Sequence, residues 1–151
     1  MIKYMDTLLQ DIKKDFYRYR NGIVAESLRK LYDPDVLIFG LTVPQLMEIA
    51  RKYPKDLNLG LQLWKDKKTR ESRLLALYLI PVALLEKETA REMFLDIRNF
   101  EEADFLTFRI LRNTSYSEEL YNDLCKENLF DPNLKYGLTM FKKNLDMVKP
   151  V

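Results

Sequence analysis

The chain has 151 residues, of which 47% are hydrophobic and 32% charged, a composition that suits one globular domain of residues 1–151 with a sizeable core. It has no His and a single Cys, Cys125. That excludes a Ser-His-Asp or Cys-His hydrolase and an intramolecular disulfide, and it leaves a zinc site without its usual ligands. Net charge is only +2, yet residues 1–80 hold 15 Lys and Arg against 10 Asp and Glu, whereas residues 81–151 hold 10 against 13.

In chain order, Ile2 to Arg20 reads as a first helix, because Leu8, Leu9, Ile12, Phe16 and Tyr19 or Tyr17 recur at spacings of three and four. Asn21-Gly22 ends it. A shorter helix is expected over Ile23 to Leu31, closing at Tyr32-Asp33-Pro34, where the residue before proline is pushed out of the α region. Val36 to Phe39 is the one candidate strand, too isolated to build a sheet. Thr42-Val43-Pro44-Gln45 is a capping-box pattern with Thr42 as N-cap, and Leu41 and Leu46 take the positions of a hydrophobic staple. The helix it opens should run to about Lys52. Another is expected from about Asp56 to Lys65, with Leu57, Leu61 and Trp64 on one side. The next runs from near Asp66 to Ile80, with Leu74, Leu77 and Tyr78 inward.

After Pro81 the pattern continues with helices over Glu88 to Arg98 and Glu101 to Arg112. A second capping box, Ser115 and Glu118, should open a helix to about Glu127. Asp131-Pro132 makes an N-cap and N1 pair for a last helix to about Leu145. This is an all-α chain of roughly nine short helices with short joints, arranged either as HEAT-like antiparallel pairs in a solenoid or as a compact irregular bundle. No clean repeat period separates the two.

No run approaches the roughly 18 to 20 apolar residues that span a bilayer, so no membrane association is expected. The N-terminal MIKYMDTLLQDIKKDF is charged throughout and has no signal-peptide core. With one Cys, this makes a cytoplasmic protein the expectation.

Phe39-Gly40-Leu41-Thr42-Val43-Pro44, then Leu63-Trp64, then Arg70-Glu71-Ser72-Arg73-Leu74-Leu75-Ala76 resembles the DNA alkylation repair family, the AlkD-type HEAT-like-repeat DNA glycosylases. That family has a Gly-Val-x-x-Pro run opening a helix, a later Leu-Trp pair and a Glu-x-Arg-x-x-Ala helix, in this order. The segment Ala25 to Tyr32 resembles it too, so the match covers roughly residues 20–80. The resemblance implies an alpha-alpha superhelix of HEAT-like pairs. It also implies binding of duplex DNA on a basic concave face and DNA N-glycosylase activity on alkylated bases, with no metal or organic cofactor.

The family's Asn-Trp-Asp-x-x-Asp signature at a helix start is similar to Asn99-Phe100-Glu101-Glu102-Ala103-Asp104, with Phe100 in place of the Trp. The resemblance implies that Phe100 and Asp104 face the DNA. Excision of a cationic alkylated base passes through a sugar cation, which a carboxylate about 3 to 4 Å away would stabilise while positioning the attacking water. A simpler reading is also open: Glu101, Glu102 and Asp104 are acids near a helix start, where the macrodipole favours them. The family's Arg on a later helix has its nearest counterpart in Lys135. The family's C-terminal repeats have no counterpart in the sequence.

Lys65, Lys67, Lys68, Arg70 and Arg73 form the densest basic run, preceded by Arg51, Lys52 and Lys55. They either meet phosphates or form a solvated helix face. Lys13, Lys14, Arg18 and Arg20 make a second, weaker run, for which solvation is the simpler reading. Trp64 is read as core rather than a stacking residue. Glu71 is read as structural, pairing with Lys67 or Lys68 or capping an adjacent turn. Cys125 is expected as a small buried hydrophobe. Two functions follow. One is a DNA-binding alkylation repair protein with glycosylase chemistry at Asp104 and Phe100. The other is a non-catalytic helical-repeat scaffold that binds a protein partner, favoured by the Phe100 replacement and the acidic second half. Oligomeric state is left open.

Overall fold

A computed structural model describes residues 2–148 of the chain. Among the described residues there are nine α-helices and three short 3-10 turns, with no strand, in an all-α arrangement of sequentially packed helices. None is long and apolar enough to cross a membrane. The chain divides into two compact units, Met1–Ile80 and Pro81–Val151.

The first unit holds α1 (Ile2–Arg18), α2 (Gly22–Leu28), α3 (Val43–Ala50), α4 (Leu57–Lys65) and α5 (Arg70–Leu79). α1 buries Ile12 and Phe16 completely and leaves Tyr17 exposed, so the apolar spacing finds the inward face and selects Tyr19 over Tyr17 as its flank. Asn21 ends the turn and caps α2, its side chain accepting from the amides of Ile23 and Val24. The expected capping box forms at α3. Thr42 Oγ1 accepts from the Gln45 amide, and Gln45 Oε1 accepts from the Thr42 amide at 2.9 Å. Leu41 and Leu46, the two staple positions, are both fully buried.

α5 is the centre of this unit. It packs on α4 and α3, and all ten of its residues are buried. It begins at Arg70 rather than near Asp66, because the segment before it is drawn into an extended contact. Leu37 and Thr69 form an isolated parallel bridge, with the Leu37 amide donating to the Lys68 carbonyl at 2.6 Å and the Arg70 amide donating to the Leu37 carbonyl at 3.0 Å. The candidate strand at Val36–Phe39 is thus one bridge, and Lys67 and Lys68 lie in a connection rather than on a helix. At the far end, a Cβ on Gly60 of α4 would sit 2.3 Å from Ile80 Cγ1, so the glycine lets that segment approach.

Asp15 of α1 is 4% exposed and accepts from Lys52 Nζ at 2.9 Å and from the Tyr53 hydroxyl at 2.5 Å. Burial pushes its carboxyl up, but the bonds from Tyr53 and Lys52 outweigh it and hold the pKa below the usual carboxylate value. This bond set ties α1 to the chain just after α3.

The second unit holds α6 (Lys87–Leu95), α7 (Phe100–Arg109), α8 (Ser117–Cys125) and α9 (Pro132–Val148). α7 and α8 both pack on α9 around Phe94, Leu106, Leu120, Leu124 and Phe141. Asn99 caps α7 by accepting from the Glu102 amide at 2.9 Å, and Glu102 accepts from the Arg98 amide at 2.9 Å. Asp131 caps α9 as expected, accepting from the amides of Asn133 and Leu134, and α9 continues three residues beyond Leu145.

Two expectations fail here. The Ser115 and Glu118 capping box does not form: α8 starts at Ser117 with Tyr116 at the N-cap and no side-chain cap bond. A 3-10 turn over Leu111–Asn113 is closed by Thr114 Oγ1 donating to the Leu111 carbonyl, and the Tyr116 hydroxyl is anchored on the Leu85 carbonyl at 2.6 Å. These bonds move the helix start past Ser115. Cys125, expected inside, is exposed at the last position of α8.

Candidate functional site

In the second unit, Phe100 opens α7 and Asp104 follows one turn later, which places both on one flank of the helix. Tyr136 of α9 joins them. Its hydroxyl donates to Asp104 Oδ1 at 2.7 Å, and its ring centroid lies 4.4 Å from that of Phe100 at an interplanar angle of 33°. Phe100 is 45% exposed and Asp104 is half-buried, so the cluster opens to solvent. The hydrogen bond to Asp104, aided by burial, pushes the Tyr136 phenol up to about 12. The phenol therefore stays protonated near neutrality and serves as the donor. The simple macrodipole reading suits Glu102, which accepts from the backbone at the start of α7. Asp104 is bonded instead to a side chain on another helix.

Tyr136 was missed by sequence reasoning, which selected its neighbour Lys135. Lys135 is exposed, and it is Tyr136 that reaches the carboxylate. The available signal was the buried stripe of α9, Gly137, Phe141, Asn144 and Leu145, with Tyr136 on its flank.

The basic run of the first unit is parted by the fold. Lys65 ends α4, and Lys67 and Lys68 follow it, all three exposed, with Lys68 paired to Asp35. Arg70 and Arg73, expected on the same phosphate-facing surface, are instead 4% and 1% exposed. Arg70 Nη1 donates to the Leu41 carbonyl at 3.0 Å and to Glu71 Oε2 at 2.6 Å. Arg73 Nη1 donates to the Trp64 carbonyl at 2.7 Å, and its guanidinium lies 3.7 Å over the Trp64 ring. Burying a guanidinium demands that its donors be met inside, and these partners do so.

Glu71 is structural as expected, with different partners. Its carboxylate accepts from the amides of Phe39, Gly40 and Leu41 at 3.0, 3.1 and 3.3 Å. It therefore latches the loop leading into α3 onto the first turn of α5. Gly40 takes φ +87 there, and a Cβ would come within 2.2 Å of the Asn21 carbonyl oxygen, so only glycine fits. Trp64 is 4% exposed and belongs to the core.

A family model described as DNA alkylation repair enzyme matches residues 12–134. The chain belongs to the DNA alkylation repair family. Comparison with curated proteins and with solved structures returns no significant match. In this member of the family, the matched span takes in both the loop latch of the first unit and the Phe100–Asp104 run of the second. The two features differ in chemical capacity. The latch is buried and its hydrogen bonds are internal. The Phe100, Asp104 and Tyr136 cluster presents a carboxylate and aromatic surface to solvent, a combination that favours positively charged ligands. Among the described residues, no group of three or more His, Cys, Asp or Glu is placed to hold a metal ion.

Proposed function

We propose that this protein binds duplex DNA through Lys65, Lys67, Lys68 and Lys135, and excises alkylated bases at Asp104 and Phe100. The observation that carries this reading is the half-buried Asp104 carboxylate, held by Tyr136 beside the exposed Phe100 ring. A purine alkylated at N3 or N7 already carries positive charge, so its departure needs no proton donor. The bond from C1′ to the base nitrogen breaks with its electron pair leaving on the base, and the sugar becomes cationic. The Asp104 carboxylate stabilises that cation, and the oxygen of one water bonds to C1′ as that water gives up a proton to bulk solvent. Tyr136 is a positioning residue that fixes one carboxylate oxygen, while Phe100 offers an apolar face to base or sugar. Arg70 and Arg73 hold the α3 loop and Trp64 and have no part in phosphate binding.

The test is release of free base from duplex DNA methylated at purine N7 or N3. The wild-type protein should release it, and Asp104→Asn should slow release by about a hundredfold. Equal rates in the two proteins would remove Asp104 from the mechanism. A second reading, a scaffold for a protein partner, is favoured by Phe130, which stands 80% exposed between α8 and α9. It gains ground if the protein fails to retain duplex DNA even at low salt.

A further inference from the structure

The first unit carries an open groove of about 480 Å³ lined by Gln10, Lys13, Lys14, Tyr17 and Phe39. Its aromatic surface is built in advance. The Phe39 backbone is held from both sides, its amide donating to Glu71 and its carbonyl accepting from the Asn21 amide at 2.7 Å. The Phe39 ring rests 5.8 Å from the fully buried Phe16. Tyr17 meets Phe39 edge-on at 6.4 Å and is steadied by Arg20, whose guanidinium lies 4.0 Å over the Tyr17 ring and whose Nη1 donates to the Tyr17 carbonyl at 2.8 Å. Even so, Tyr17 remains 59% exposed. Tyr17 is thus a large aromatic residue on a structured helix that the core does not use.

We propose that this groove binds single-stranded nucleic acid, stacking an unpaired base on the Tyr17 ring with Phe39 beside it edge to face, while Lys13 and Lys14 contact the flanking phosphates. Three observations select this occupant. The floor is aromatic and rigid, so a flat ligand loses little freedom on the protein side when it binds. Both charged residues of the groove are cationic; Lys13 is 60% exposed and its link to Asp66 is loose, at 3.9 Å. Gln10 offers an amide donor and acceptor to a base edge. An acidic peptide would satisfy the lysines but would leave the stacking surface without a flat partner. This site does not depend on duplex binding at Lys65, Lys67, Lys68 and Lys135.

The test is fluorescence anisotropy of the full chain with a fluorescein-labelled dT10 oligonucleotide and, separately, with a blunt duplex. Tyr17→Ala should weaken dT10 binding by about tenfold, Tyr17→Phe should keep it, and duplex affinity should be the same in all three proteins. Lys13→Gln with Lys14→Gln should flatten the salt dependence of dT10 binding by about 1.4 log units per log unit of salt. Matching thermal unfolding of Tyr17→Ala and wild type keeps a folding defect out of the comparison. Unchanged dT10 affinity in Tyr17→Ala overturns the proposal, as does binding of poly-glutamate without binding of dT10. Loss of duplex binding alone, with dT10 binding intact, defeats the duplex reading and supports this one.

Discussion

Asp104 and Tyr136 share one hydrogen bond, and that bond makes a side chain on α9 part of a site begun on α7. Its pH dependence follows from the phenol. The folded pKa of Tyr136, pushed up to about 12, lies above the ordinary value of 10.0, so the bond's contribution to stability is present below pH 10 and is lost as pH rises through about 12. Thermal unfolding followed across pH 9 to 12 should therefore show wild type losing more of its melting temperature than Tyr136→Phe. Parallel decline of the two proteins would mean that the bond does not persist in solution. The sequence named Lys135 as a phosphate contact and gave no role to Tyr136, the residue beside it. On a helix one residue is about 100° of rotation, enough to exchange a solvent-facing side chain for one that meets the neighbouring helix. The Phe100–Asp104 pair was legible because its spacing lies within one helix, whereas its partner lies 32 residues away.

The helix α5 shows how a charged motif can be structural. Arg70, Glu71 and Arg73 read from sequence as part of a helix starting near Asp66, with the two arginines in a basic run and Glu71 structural. In the fold, Glu71 takes three loop amides 30 to 32 residues upstream, and Arg70 takes a carbonyl from the same loop. Glu71→Ala would strand those donors and leave Arg70 without its buried counter-charge. We expect a loss of about 3 to 5 kcal/mol in denaturant unfolding. Glu71→Gln keeps an acceptor oxygen but loses the charge, so its loss should be smaller. A loss within about 0.5 kcal/mol for Glu71→Ala would contradict the latch. Local signals placed the starts of α3 and α9, because the caps at Thr42 and Asp131 act within a few residues. The start of α5 escaped them, since the Leu37 bridge that sets it comes from a distant segment.

Across the whole molecule, charge is divided between a basic N-terminal half and an acidic C-terminal half, and burial decides how much of the basic half can act. With Arg70 and Arg73 inside, four lysines remain in the proposed phosphate-binding set, and under that proposal they govern the salt response. If all four meet phosphate, the logarithm of duplex affinity should fall with the logarithm of salt at a slope of about −3.6, and each Lys→Gln change should flatten it by about 0.9. A slope near −5.4 would instead call for two cations beyond these four. The all-α class and family membership were determined by the sequence alone, through apolar spacing, caps and short motifs that are read locally. Tertiary structure alone decided that Arg70 and Arg73 turn inward, that Cys125 stays outside and that Tyr136 completes the Asp104 cluster. The physical reason is common to the arginines and the tyrosine. A charged or phenol group prefers water and goes inside only where partners meet its polar atoms, and those partners arrive from segments far away in the chain.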